Sequence, residues 1–233
     1  MLILFDIDGT LLLTQGAGIH AMADAGRELF SDHFTIDGIE FSGRLDSLIW
    51  KDLVKLNGVD DSDLNHDRFR AHYGKHLHRR LHESPTAKLL PGVSNLVHRL
   101  VAVESVTLGL LTGNYPETGR LKIQRAGLDP DLFRVAAWGI DGATRRDLPA
   151  IAMQRHGQDL GRSIEPDRVV IIGDTPHDVD CARHNGCRSI GVATGAFDVA
   201  SLRECGADLA MEDLSDTDGV VNWMLQQSAT ISQ

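Results

Sequence analysis

The sequence predicts an α/β fold: a parallel sheet covered by helices, with an α-helical segment inserted after its first strand. Three observations carry that expectation. Short uninterrupted apolar runs recur along the 233-residue chain, and runs of this length closed by turn residues fit strands buried on both faces. Segments of helical periodicity separate them, and strands alternating with helices wind a parallel sheet through right-handed crossovers. Between the first strand and the second, residues 14–83 carry helical periodicity and no strand pattern, which marks an insertion over the exit of the first strand.

The first run, Leu2-Ile3-Leu4-Phe5, ends in Asp6-Ile7-Asp8-Gly9-Thr10-Leu11. A lone acid after a strand is usually a turn or helix-cap residue, but two acids flanking one apolar residue point the same way in extended chain. They crowd negative charge onto one spot, and a hard cation or a shared proton relieves it. In the insertion, Ile19, Met22, Ala23, Leu29 and Phe30 line one helix, Leu48, Ile49, Leu53 and Leu56 a second, and Phe69, Tyr73, Leu77 and Leu81 a third. Gly16 and Gly18 on one side and Ser84-Pro85 on the other read as hinges or as plain turns.

Phe41-Ser42-Gly43-Arg44-Leu45-Asp46 sets an arginine before a helix. Arg44 either meets an anionic substrate or pairs with a surface acid while Asp46 caps the helix. His66, His72, His76, His78 and His82 crowd the third helix. The pairs 72/76 and 78/82 have the spacing of helical metal ligands, yet no cysteine joins them and the pairs face different sides, so solvated histidines are expected.

Further strands are expected at 106–111, 169–172 and 189–193, with a weaker one at 207–211. Between and beyond them, Pro91-Gly92 precedes the periodic Val93, Leu96, Val97 and Leu100, while Pro116 opens a helix through Leu121, Ile123 and Ala126 that Gly127 ends. Residues 148–154, 178–185 with Gly186 beyond, and 220–225 read similarly, and residues 228–233 are expected to fray.

Ligands of such a sheet sit at the carboxyl ends of its strands, so chemistry is expected just after each run. There stand Thr112-Gly113-Asn114, a hydroxyl, a flexible amide and a carboxamide before a helix start, a set that suits phosphoryl oxygens. After 169–172 stands Gly173-Asp174-Thr175-Pro176-His177-Asp178, which taken alone reads as a helix cap followed by an acid in the first turn. His177 is a loop residue or a participant.

With Asp6-Ile7-Asp8-Gly9-Thr10, Thr112 and Asp174 at successive strand ends, the chain resembles the haloacid dehalogenase-like superfamily, in its phosphoglycolate phosphatase-like branch with a helical cap. The resemblance implies a Rossmann-like core of residues 1–13 and 84–233 and an α-helical cap domain of residues 14–83. It implies Asp6 as nucleophile, Asp8 as acid and base, and Thr112, Gly113 and Asn114 around the transferring phosphoryl group. Mg2+ would be held by Asp6, Asp174 and the backbone carbonyl of Asp8, with Asp178 in support. The family also places one cation among these groups, commonly a lysine in a Lys-Pro pair. Two residues compete for that role: Lys122, taken first, and Arg145, a second phosphate or carboxylate partner whose surroundings, Thr144-Arg145-Arg146-Asp147-Leu148-Pro149, depart from the Lys-Pro form. Arg44 resembles a recurrent lid motif.

The activity so implied is magnesium-dependent hydrolysis of small phosphorylated metabolites through an aspartyl-phosphate. A phosphomutase similar to beta-phosphoglucomutase shares every one of these groups. A metal-independent dehalogenase would not require Asp8, and a regulatory binding module would be expected to have lost Asp6, Asp8 or Asp174. Composition narrows the partners: 23 basic against 33 acidic residues give a formal charge of −10, which argues against nucleic acid and anionic membranes. No apolar run nears the roughly 18 residues of a membrane span, and the N-terminal run lacks the length and basic flank of a signal peptide, so a cytoplasmic protein is expected. Cys181, Cys187 and Cys205 are an odd number without close metal-ligand spacing and are expected to be reduced structural thiols. Oligomeric state is not written in the sequence.

Overall fold

A computed structural model describes residues 1–226; the fraying expected at 228–233 lies outside them. In chain order the first elements are β1 (Leu2–Phe5), β2 (Leu12–Leu13), α1 (Ala17–Leu29), α2 (Asp46–Asn57), α3 (Asp63–Glu83), β3 (Lys88–Leu89) and α4 (Val93–Val101). There follow β4 (Thr107–Leu111), α5 (Pro116–Arg125), β5 (Val135–Ala137), α6 (Leu148–Leu160), β6 (Val169–Gly173), α7 (Pro176–His184), β7 (Arg188–Val192), α8 (Val199–Glu204), β8 (Leu209–Met211) and α9 (Thr217–Gln226). Six strands form a parallel sheet in the order β5-β4-β1-β6-β7-β8.

β1 is central because all four of its residues are apolar and it pairs on both edges, Leu2 with Thr107 on one side and with Val169 on the other. Its side chains alternate between two cores. Ile3 and Phe5 pack with Val97, Leu110 and Ile172, whereas Leu2 and Leu4 pack with Leu111, Ala152 and Ile171. Each large side chain so buried contributes roughly 1.5–3 kcal/mol. The register sets the carboxyl ends of β4, β1 and β6 side by side, which brings residues 112, 6 and 174 together from distant parts of the chain.

Four short elements were not expected from the sequence. β5 and α8 span three and six residues, too few for a periodic signal. β2 and β3 form an antiparallel ribbon, Leu12 opposite Leu89 and Leu13 opposite Lys88, through which the chain leaves for the helical insertion and returns. The insertion has its own apolar centre of Met22, Trp50, Leu53, Phe69, Tyr73 and Leu77, and Tyr115 joins it from the start of α5. Leu56 does not take part; it lies in the last turn of α2 and is 45% exposed. Gly18 is no hinge either, being buried inside α1, whereas Gly16 starts that helix with φ of +78°.

Candidate active site

Asp6 is the first residue beyond β1, and its N–H still donates to Ile172 O (2.9 Å), so the sheet's own hydrogen bonding fixes where its carboxylate begins. The chain then turns at Gly9, with φ of +77°. A Cβ there would lie 2.3 Å from Asp174 Oδ2, so only glycine lets the turn approach that acid. Thr10 Oγ1 donates to Asp174 Oδ1 (3.1 Å). Oxygens of Asp6, Asp174 and Asp178 all lie within 4.8 Å of one another, and all three residues are buried.

The two candidate cations take separate posts. Lys122 Nζ donates to Asp8 Oδ2 (2.5 Å) and Asn114 Oδ1 (2.6 Å). Asn114 Nδ2 donates in turn to Asp8 Oδ2 (2.9 Å) and Thr112 Oγ1 (2.8 Å). Arg145 Nη2 instead lies 2.7 Å from Asp6 Oδ2 and 2.5 Å from Asp178 Oδ1, and its Nη1 donates to Gly43 O (3.2 Å). Arg145 therefore stands as a carboxylate partner. The other oxygen of Asp178 accepts from the N–H (3.1 Å) and Oγ1 (2.7 Å) of Thr175, closing the capping box that starts α7. Asp178 is thus both the helix-start acid and a member of the cluster.

Burial pushes the Asp174 carboxyl up to about 8, with Asp178 and Asp6 adding repulsion. Burial likewise raises Asp6, against the pull of Arg145. Burial alone would lower Arg145, but Asp178 and Asp6 hold it above its ordinary value. Three carboxylates facing one guanidinium leave excess negative charge, and every donor is an oxygen, so the cluster fits a hard divalent cation.

Asp46 was expected to cap α2. It is instead the first residue of that helix, and its carboxylate makes no cap bond; Oδ2 accepts the N–H of Tyr115 (3.0 Å) across the seam between insertion and core. Asp46 N–H donates to Gly113 O (2.7 Å) and Tyr115 OH donates to Asp46 O (3.1 Å). A Cβ on Gly113 would sit 1.9 Å from Arg44 O, so the close seam depends on glycine at 113. Arg44 itself pairs with Asp52 (2.6 Å), the surface-acid arrangement, although it also borders the cavity.

Burial pushes the Asp46 carboxyl up to about 7, with Lys122 and the Tyr115 N–H pulling down and Asp8 and Glu117 pushing up. An acid whose pKa is raised on folding contributes stability that is fully present below its unfolded value and is lost as pH rises through the folded one. Asp46→Asn keeps the acceptor for Tyr115 and removes the titration. Urea unfolding is expected to find the variant equal to the parent near pH 4 and more stable by on the order of 2–4 kcal/mol at pH 8. A constant difference across that window would show that Asp46 does not titrate there.

The histidines are not uniformly solvated. His76 is buried, its Nε2 bonded to Glu28 and its Nδ1 accepting from Arg79 Nη2 (2.9 Å), while His66 stacks on Trp50 and lies 2.7 Å from Tyr115 OH. Glu28, His72 and His76 form a second group within reach of one ion, but Lys75 (2.8 Å from Glu28) and Arg79 already engage it. His177 is an exposed residue in the first turn of α7.

Fold and site together define an α/β protein with a buried carboxylate centre at the strand ends, covered by an inserted helical layer. The chain belongs to the haloacid dehalogenase-like hydrolase family, whose sequence model matches residues 3–192. It is 30% identical over 143 residues to a phosphoglycolate phosphatase of Synechococcus elongatus, a match covering 61% of this chain and 64% of that relative. Among solved structures, a hydrolase from Pseudomonas syringae superposes with a TM-score of 0.68 at 21% identity, covering 95% of this chain and 97% of the other. A putative beta-phosphoglucomutase from Thermotoga maritima gives a TM-score of 0.64 at 20% identity, covering 96% and 99%. CbbY from Rhodobacter sphaeroides in complex with xylulose-(1,5)bisphosphate gives 0.69 at 17% identity, covering 92% and 95%. At these identities the structural likeness speaks for the fold.

Proposed function

We propose that this protein is a magnesium-dependent phosphatase that hydrolyses small phosphate monoesters through an aspartyl-phosphate on Asp6. The observation that supports it most is the meeting of Asp6, Asp174 and Asp178 within one ion's reach, with Asp6 and Asp174 lining a cavity of about 370 Å³ together with Thr112, Asn114 and Lys122. Asp6 and Asp174 would hold Mg2+, with the Asp8 carbonyl beside them and Asp178 in support. When bound, the ion supplies the positive charge that lets a carboxylate approach a phosphate dianion.

The chain's own groups then divide the work. The Asp6 oxygen attacks phosphorus and the ester P–O bond breaks, while Asp8 gives a proton to the leaving alcohol oxygen. Asp8 next takes a proton from the water that attacks the phosphoaspartate, which releases orthophosphate and restores Asp6. Thr112, the Gly113 amide, Asn114 and Lys122 hold the equatorial oxygens as charge spreads over them. Arg145 neutralises and orients Asp6 and Asp178. Residues 14–83 serve as the cap over a core of 1–13 and 84–233, excluding water and contacting the leaving group. Among the described residues no helix is long and apolar enough to cross a membrane, and a cytoplasmic setting accords with this reading.

Orthophosphate release from an aryl phosphate and a panel of phosphorylated metabolites tests the proposal. Chelation is expected to lower the rate at least about 100-fold and Mg2+ to restore it. Orthophosphate release that survives chelation would overturn the magnesium requirement, halide release from a haloacid without metal would favour the dehalogenase chemistry, and an isomerised sugar phosphate without orthophosphate would favour a mutase.

A further inference from the structure

We infer that the leaving-group end of this cavity selects an uncharged, largely apolar alcohol over one that carries a second anionic group. The inference rests on the phosphatase reading for the placement of the phosphoryl group at Asp6 and Thr112. It adds what the opposite wall accepts.

The cavity has two unlike ends. The core supplies Asp6, Asp8, Asn114, Lys122 and Asp174, whereas the insertion and its ribbon supply the apolar Leu13, Ile19, Met22, Phe41, Ile49 and Tyr73, beside the charged Arg44 and Asp46. A second carboxylate or phosphate on the substrate would need a cation there. Three cationic residues border the cavity, and each is engaged: Lys122 by Asp8 and Asn114, Arg145 by Asp6 and Asp178, and Arg44 by Asp52. Of the two charged groups on that side, Arg44 is held by Asp52, and Asp46 is a buried acid that, when ionised, repels a second anion. An anionic tail would lose its water against hydrocarbon and meet like charge, while an alkyl or aryl tail would bury apolar surface on both. Few polar groups at one end and an apolar body at the other is how pockets fix the orientation of small ligands.

Two matched pairs separate charge from size: ethyl phosphate against phosphoglycolate, and phenyl phosphate against 4-carboxyphenyl phosphate. The neutral ester of each pair is expected to show at least a tenfold higher kcat/KM. Ile19→Lys, at a partly exposed position of α1, is expected to reverse or abolish that preference by supplying the missing cation. Binding of the same esters to Asp6→Asn by calorimetry reads the selection without turnover, and the neutral ester is expected to bind at least tenfold tighter. Equal or tighter binding of the carboxylated esters, or binding of neither member of a pair, overturns the inference. So does a carboxylate preference that Arg44→Gln removes, which would assign the second anion to Arg44. Hydrolysis that favours carboxylated esters sinks the inference and leaves the phosphatase reading standing; selective binding without hydrolysis does the reverse.

Discussion

Asp6→Asn is expected to lower kcat for a generic aryl phosphate by at least about 10³-fold while the protein stays folded. The amide has nearly the shape of the carboxylate but no nucleophilic oxygen anion, so phosphoaspartate cannot form. The fold should tolerate the change because Asp6 is a buried acid whose charge is opposed by burial, and Asp178 continues to hold Arg145 when the Asp6 charge is gone. Phosphate release measured beside thermal unfolding separates the two effects. Turnover near the parent rate would remove Asp6 as nucleophile, whereas lost turnover with an unfolded protein would leave the role undecided and calls for ester binding as the deciding readout.

Arg145→Met is the second large effect, and it falls on stability. It leaves Asp6, Asp174 and Asp178 within 4.8 Å of one another with no guanidinium between them, and it removes the donor to Gly43 O. Removing one partner of a buried charge cluster costs about 3–5 kcal/mol. For a chain of this length that corresponds to a fall in Tm of roughly 6–20 °C. Mg2+ should return part of the loss, about 2.7 kcal/mol when its concentration is 100 times its Kd. The loss should also deepen as pH rises and Asp174 ionises, because that carboxyl is pushed up to about 8 in the folded protein. An unchanged Tm at pH 8 would mean that the acids are not relying on Arg145 for compensation.

Much of this could be read from the chain because the central strands have simple physics. β1, β4 and β6 are short apolar runs buried on both faces, and the polar residues that end them fall where the sheet ends. Asp6, Thr112 and Asp174 were therefore legible as a converging set, and Lys122 and Arg145 as candidate cations. Which cation serves which acid was not legible, since both side chains are placed by the packing of α5 and of the turn before α6 on the sheet. Asp46 was misread for a related reason. Its local sequence is that of a helix start, but its partner is the Tyr115 N–H, 69 residues away. The sequence points to solvated side chains at His66 and His76 because spacing along α3 cannot reveal that Trp50 and Glu28 come to meet them.

The β2–β3 ribbon has a consequence for how such a protein can diversify. Residues 13 and 88 are already neighbours, paired opposite one another, so the path of the parallel sheet does not depend on what is threaded between them. Everything beyond that pairing can lengthen, shrink or be exchanged for a different helical layout without re-routing the strands that carry Asp6, Thr112 and Asp174. On the proposed reading, reaction chemistry and choice of leaving group are modular, free to drift at different rates.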